Sequence, residues 1–106
     1  MPKFLFHVNY IGEGVKGLLT EGGTARQAAA EAAAKSVGGS LDAVYYAFGT
    51  TDCYALGDLP DTAAAMALAL TLKASGRVSI TTTPLLTPEE VDAAVKLTPH
   101  YRAPGA

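Results

Sequence analysis

A chain of 106 residues is long enough for one domain with a single hydrophobic core and too short for two. Its formal net charge is only −2 and it has no run of like charge, which excludes the basic surfaces that bind nucleic acid or anionic membranes. Charged residues make up 17% of the chain, against about a quarter in an average domain, which predicts that another chain covers part of the surface.

The cysteine content and the apolar segments indicate in which cellular compartment the protein is expected. The single cysteine, Cys53, excludes an internal disulfide and a metal site built from several cysteines. The N-terminal segment has neither the long apolar core nor the cleavage site of a signal peptide. The longest apolar stretch, residues 63–72, is too short to span a bilayer. We therefore expect a cytoplasmic protein with no membrane partner.

The first third of the chain predicts a strand followed by two helical segments. In "KFLFHVNY" (3–10) large apolar residues alternate with other residues, as in a half-buried strand. A short helical segment is expected at 12–19, and the glycines in "EGG" (21–23) interrupt it. The alanine-rich stretch 24–37 predicts a stronger helix, with Thr24 as its N-cap.

The middle of the chain predicts a hairpin and a second main helix. Residues 40–48 are rich in β-formers, 49–51 supply a turn and 52–58 return as the partner strand. Asp61 is the expected N-cap of a helix that runs to about Ser75.

The end of the chain predicts one more strand and a short helix. Residues 77–83 are full of β-branched side chains. Thr87 and Glu90 form the pattern of a capping box and begin the last helix. We expect residues 1–97 to form a single domain and 98–106 a loose tail.

The order of elements defines the expected fold. Strand, helix, strand, strand, helix and strand make the ferredoxin-like βαββαβ arrangement of the α+β class, here followed by a short extra C-terminal helix. Right-handed crossovers place both main helices on one face of a four-stranded antiparallel sheet. The other face of the sheet is left open.

Several stretches, taken in order, resemble the GYD domain family of small bacterial and archaeal proteins. They are "NY" (9–10), "EGVKGLL" (13–19), "EGG" with "AR" (21–26), "GG" (38–39), "YYAFG" (45–49), Asp52, "DLPD" (58–61) and "TTPLLTPEEVDAA" (82–94). The resemblance covers residues 3–96. It implies a fold similar to the dimeric α+β-barrel superfamily, whose members often pair open sheet faces into a shared barrel.

The motif of that family runs Gly, any residue, Tyr, Asp. In this chain Thr51 stands at the tyrosine position, between Gly49 and Asp52. A role carried by the family phenol therefore does not transfer to this residue.

Polar residues on the open face form the candidate ligand site. His7 and Asn9 alternate with the apolar residues of the first strand and so project away from the helices. Thr81 lies on a polar face of the last strand, and either Tyr45 or Tyr46 must join the same side. This set is either a hydrogen-bonded surface or the only pocket for a small polar or aromatic molecule inside an oligomer. No metal or cofactor is predicted.

The hairpin carries two further candidates. Asp52 is interpreted as a hydrogen-bond acceptor for turn amides, with Gly49 at positive φ, or alternatively as a general base working with His7. Cys53 has an acidic neighbour, which predicts an inert buried thiol and not a nucleophile.

Two helices make predictions about packing. We expect a stripe of small residues to bring the alanine-rich helix close to the sheet, namely Ala25, Ala28, Ala29 and Ala32. The helix at 62–76 is apolar nearly all round and cannot bury every large side chain against one sheet. It therefore predicts a homo-oligomer, a dimer or a multiple of one.

Three functions remain open on this sequence. The first is a small homo-oligomeric module that binds a small molecule. The second is a cofactor-independent α+β-barrel enzyme of the oxygenase, isomerase or lyase type, using His7 with Asp52. The third is a structural subunit of a larger assembly.

Overall fold

The computed structural model describes residues 1–106 as a sheet with helices on one side. Its elements are β1 Lys3–Tyr10, α1 Glu13–Glu21, α2 Gly23–Ser36, β2 Ser40–Tyr46, β3 Cys53–Asp58, α3 Thr62–Ala74, β4 Val78–Leu85 and α4 Pro88–Val95. The four strands pair antiparallel in the order β2–β3–β1–β4. This arrangement confirms the expected ferredoxin-like α+β fold. None of the helices has the length and apolar character needed to cross a membrane.

The junction between α1 and α2 differs from the prediction by one residue. Gly22 has φ +83° and ends α1, and the same residue occupies the N-cap position of α2. Thr24 was expected to be the cap, but it lies inside the helix, and no side chain caps α2. The reason is that glycine alone makes the sharp positive-φ turn, so the second helix begins directly after it.

The caps of α3 and α4 agree with the prediction. Asp61 Oδ1 accepts from the Ala64 amide at 2.8 Å. Thr87 Oγ1 accepts from the Glu90 amide at 3.1 Å, and Glu90 Oε1 accepts from the Thr87 amide at 3.0 Å, which completes a capping box. β4 extends beyond the expected end at residue 83 and includes Pro84, which an edge strand tolerates.

The core lies between β1 and the helices, and it is small. Phe4 and Phe6 of β1 are buried together with Leu59, Leu68 and Ile80. Only 12 of the 106 residues are buried in all, so much of the apolar surface of this chain is not covered by its own fold.

The direction in which α2 faces is the opposite of the expected one. The four alanines of the predicted stripe, Ala25, Ala28, Ala29 and Ala32, are all exposed. Ala34 is buried, with Ala33 and Val37 packed against the core. Alanine occurs on every side of this helix, so the composition alone does not show its inner face. Val37 at the C-terminal end and a contact between Gly23 and Tyr46 at the N-terminal end set the orientation.

The helix α3 divides its large side chains between two environments. Leu68 is buried and Leu72 is half-buried, whereas Met66 and Leu70 are each 58% exposed. As predicted, these residues do not all face the sheet. The helix packs over β4 and α2 packs over β2, which are the two edge strands. Space therefore remains between the two helices, above the central strands.

The segment after β4 extends away from the packed layers. None of the residues of α4 is buried, and every residue from 86 to 106 is exposed. The radius of gyration is 16.9 Å, larger than the about 13 Å expected for a compact domain of this length. The long dimension of the molecule, 56 Å against 33 and 23 Å, reflects this projection.

Candidate functional site

The open face of the sheet carries one row of polar and aromatic side chains that crosses all four strands. Strand register places His7 opposite Tyr54 on one side and opposite Thr81 on the other, and Tyr54 opposite Tyr45. We call Tyr45, Tyr54, His7 and Thr81 the His7 row. The rings of His7 and Tyr54 meet edge to face, with centroids 5.1 Å apart. Tyr54 is a member that the sequence interpretation missed, although the hairpin of β2 and β3 pairs it with Tyr45.

The next row of the same face is apolar on β1, β2 and β3 and ends at Thr83 on β4. Leu5 pairs with Leu56, and Leu56 pairs with Ala43. Together with Tyr45, which is 72% exposed, these residues give the open face an apolar and aromatic centre. Farther along, Lys3 forms ion pairs with Asp58 of the neighbouring β3 and with Asp42 of β2, and the hydrogen bond to Asp42 raises the pKa of Lys3.

Asn9 and Asp52 form a clamp between β1 and the loop before β3. The Asp52 amide donates to Asn9 Oδ1 at 2.8 Å, and the Tyr10 amide donates to Asp52 Oδ2 at 3.0 Å. Both side chains therefore stabilise the end of β1. Asp52 lines a hollow together with Tyr10 and Tyr46, and no hydrogen bond or ion pair joins it to His7. The structure thus does not bring Asp52 to His7 as an acid–base pair.

The rest of the hairpin is structural. Gly49 does not have positive φ, contrary to the prediction, because the loop is long enough to turn without a left-handed residue. Asp52 accepts from an amide of β1 and not from amides of its own turn. Thr51, at the family tyrosine position, is buried. Cys53 is also buried, and burial, together with the Asp52 charge, raises the pKa of its thiol, which makes it a poor nucleophile at neutral pH.

The two adjacent tyrosines lie on opposite faces of the sheet. Tyr45 belongs to the His7 row, and Tyr46 lies under the helices. The Tyr46 hydroxyl donates to the Gly23 carbonyl at 2.9 Å. Burial raises the pKa of Tyr46 to about 12, with a further contribution from the neighbouring phenol of Tyr10. Of the two alternatives, the structure therefore groups Tyr45 with His7 and separates Tyr46 from it.

A cavity lies between the helices and the sheet, on the side away from the His7 row. It has a volume of about 380 Å³, and 16 of its 23 lining residues are hydrophobic. Its walls come from α1, α2 and α3 and its floor from all four strands, chiefly through Leu18, Ala30, Ala33, Leu68, Leu72, Phe6, Val8, Val44, Ala55 and Ile80. The fold thus has a hollow apart from the open face, and the assignment of a ligand to the set around His7 and Asn9 stays a prediction.

The composition of α2 explains this cavity. We expected its alanines to bring the helix close to the sheet. In the structure Ala30 and Ala33 face the interior, but α2 is held over the edge strand β2, so its small side chains do not fill the space above β1 and β3. An alanine-rich helix beside an apolar sheet can either pack closely against the sheet or leave a cavity above it. The sequence alone does not show which of the two occurs.

The polar lining residues gather at one end of this cavity. Tyr10 ends β1, Tyr46 ends β2 and Arg77 immediately precedes β4, and the antiparallel register brings these three positions to the same end of the sheet. Arg26 and Glu21 add to this cluster and form an ion pair of 3.4 Å. We call these five residues the polar mouth. The remaining part of the lining is almost entirely apolar.

No group of three or more His, Cys, Asp or Glu side chains is arranged to hold a metal ion. The second histidine, His100, lies in the exposed C-terminal segment, far along the chain from the His7 row.

Comparison with known proteins gives one match. The sequence model of the GYD domain matches residues 4–95. No curated protein and no solved structure matches the chain.

Proposed function

We propose that this protein, which belongs to the GYD domain family, is a small-molecule-binding module whose ligand occupies the cavity between the helices and the sheet. The observation that carries the proposal is the cavity of about 380 Å³, within the 300–1,000 Å³ that ligand pockets occupy. Its apolar lining with a few polar groups at one end is also typical of such pockets.

The position of the cavity supports the same proposal. Apart from Ser75 and Arg77, its lining residues belong to helices and strands, so the fold itself holds the space open. The buried core is small, and several apolar residues around the cavity, among them Val8, Leu18 and Val44, remain partly exposed. An apolar occupant would remove this surface from water, which is favourable by about 25 cal/mol per Å².

The test uses 1-octanol, an uncharged apolar probe, and two leucine variants of the same helix. Ala30 lines the cavity, whereas Ala28 is exposed and does not. We expect 1-octanol to shift the backbone amide resonances of Ala33 and Leu68, Ala30→Leu to abolish these shifts, and Ala28→Leu to preserve them. Circular dichroism checks that both variants fold. Equal binding by wild type and Ala30→Leu, or no shifts in the wild type, would contradict the proposal.

A second proposal concerns the open face. We propose that two copies pair through it as a homodimer, the assembly that the α+β-barrel resemblance implies. Tyr45 at 72% and Tyr54 at 36% exposure lie on this face, and no part of the same chain covers it. Strands of eight residues give a face roughly 26 Å long, and four strands span roughly 19 Å, enough for a small specific interface.

Pairing would place the His7 row inside the dimer. His7, Tyr45 and Thr81, with Asn9 at one end, would then surround a small polar or aromatic molecule shielded from bulk water. The exposed Met66 and Leu70 of α3 offer a second apolar surface, which suits a multiple of a dimer. The enzyme alternative has less support because Asp52 is engaged by the Tyr10 amide and forms no hydrogen bond with His7.

Light scattering of two variants separates the dimer from a monomer. Leu56→Glu introduces a charge at the centre of the open face and is expected to give monomers of 10.9 kDa at micromolar concentration. Ala28→Glu introduces the same charge on the exposed side of α2 and is expected to leave the dimer intact. A wild-type protein that is monomeric under these conditions, or a dimeric Leu56→Glu, would contradict the assignment of this interface.

A further inference from the structure

We infer that the ligand of the helix-side cavity is an amphipathic anion, an aliphatic or aromatic carboxylate whose apolar body lies among the alanines of α2 and whose head meets Arg77 and Arg26 at the polar mouth. This inference rests on the proposed function and names the ligand class of that same site. It follows from the arginines at the mouth, from the neutral phenols beside them and from the absence of acids deeper in the cavity.

Two arginines and one acid belong to the mouth, and the carboxylate of the nearby Asp52 is engaged by the Tyr10 amide. Glu21 is the only acid that lines the cavity, and it is paired with Arg26. That contact is long, at 3.4 Å, and uses one nitrogen of a guanidinium that has five N–H donors. Arg77 forms no ion pair with any carboxylate of the chain, so its guanidinium is available to a ligand. A carboxylate matches the planar fork of an arginine better than other small anions of similar size do.

The phenols at the mouth favour an anion as well. Tyr46 and Tyr10 lie beside each other, and burial raises the pKa of Tyr46 to about 12. Tyr46 therefore stays neutral at physiological pH and does not repel a carboxylate. A cation would instead meet two arginines at the same position, which excludes amines as ligands.

The remainder of the cavity selects an apolar body. Phe6, Ala33, Leu68 and Ile80 contribute no polar side-chain atom, and the Cys53 thiol is a weak hydrogen-bonding group. A sugar or an inorganic phosphate would leave its polar groups unpaired against these side chains, at a large desolvation cost. A hydrocarbon chain or an aromatic ring fits this lining without such a cost.

The test compares octanoate with 1-octanol by calorimetry at about pH 7, where the carboxylate is ionised. Both probes have the same chain length, so their difference reports on the head group alone. For the wild type we expect octanoate to bind about tenfold more tightly than 1-octanol, the order of a charge-assisted hydrogen bond. In Arg77→Gln with Arg26→Gln this preference is expected to disappear, so that the double variant binds both probes with about equal affinity.

Lys73→Gln is the matched control, because it removes an exposed positive charge of α3 that does not line the cavity. It is expected to keep the full preference for octanoate. If neither probe binds the wild type, the proposed function itself fails. If both bind equally, the cavity is a binding site but the inference of an anionic ligand is wrong. A preference that survives removal of both arginines would also overturn the inference.

Discussion

Gly14 lies directly against the backbone of Arg77. A Cβ atom built on Gly14 would come within 1.9 Å of the Arg77 carbonyl oxygen. The same oxygen accepts a hydrogen bond from the Ile11 amide at 2.9 Å. The first turn of α1 is thus fixed to the start of β4, beside the polar mouth, by a contact that only glycine permits.

We predict that Gly14→Ala lowers the free energy of unfolding by ~1–3 kcal/mol, because the methyl group meets a backbone atom that cannot rotate away. Urea denaturation measures this loss. Gly17 lies in the same helix, and a Cβ atom added to it would meet no atom within 4 Å, so Gly17→Ala is expected to stabilise by ~0.5–1 kcal/mol. A stabilising Gly14→Ala would show that the close approach to Arg77 does not exist.

The clamp of Asn9 and Asp52 gives a second prediction. Asp52→Ala removes the carboxylate that accepts from the Tyr10 amide and is expected to cost ~1.5–3 kcal/mol. Asn9→Ala is expected to cost ~1 kcal/mol. Because the two residues share one clamp, their effects should be less than additive in the double variant. Thr50→Ala, an exposed change in the same loop, is the control, and a loss of similar size there would argue against the clamp.

The local caps show which part of the fold the sequence determines. Asp61, Thr87 and Glu90 act on amides three residues away or closer, so their roles follow from spacing alone. The strand alternation of Phe4 and Phe6 likewise identified the buried face of β1. These features depend on the nearest residues along the chain and are therefore predictable.

The cavity and the inner face of α2 depend on distant contacts, and the sequence did not reveal them. An alanine-rich helix has nearly the same side chains all round, so its orientation is decided by Val37 and by the contact of Gly23 with Tyr46. For the candidate site, alternation placed His7 and Asn9 but left open which of Tyr45 and Tyr46 joins them. The bulge in the pairing of β2 with β3, between Leu41 and Ala43, makes this choice hard to derive from a simple count.

The two helix caps also yield a comparison. Asp61 caps α3, which packs on β4, whereas Thr87 caps α4, which buries none of its residues. We predict that Asp61→Ala lowers the global free energy of unfolding by ~1 kcal/mol. Thr87→Ala should unfold α4 locally and leave the global free energy of unfolding unchanged. The local unfolding would be detected as a loss of the helical carbon chemical shifts of α4. A global loss from Thr87→Ala in the monomer would show that α4 is packed.

Tyr46 predicts the behaviour of the protein at alkaline pH. An unfolded tyrosine has a pKa of about 10, and the folded pKa of Tyr46 is about 12. The folded state therefore holds this proton more tightly, so the stability contributed by Tyr46 is complete below pH ~10 and falls as the pH rises toward 12. Since Tyr46 is 41% exposed, we expect a loss of about 1 kcal/mol, less than the full shift implies.

Urea denaturation measures this loss. The midpoints are compared between roughly pH 9, below the titration of Tyr46, and roughly pH 11, within it. Tyr46→Phe is less stable at neutral pH because the hydrogen bond to Gly23 is absent, but its stability should decline less over the alkaline range. Tyr45→Phe, on the open face, controls for the removal of one phenol. Parallel curves for wild type and Tyr46→Phe would contradict the prediction.

The space beneath α2 has a thermodynamic consequence for the whole molecule. Empty apolar volume in a core lowers stability by about 24 cal/mol per Å³, so a dry cavity of about 380 Å³ would correspond to ~9 kcal/mol, as large as the entire stability of many domains. Water entering through the mouth reduces this figure. Larger side chains at Ala30 or Ala33 would then raise the melting temperature. The open cavity therefore opposes the thermal stability of this fold.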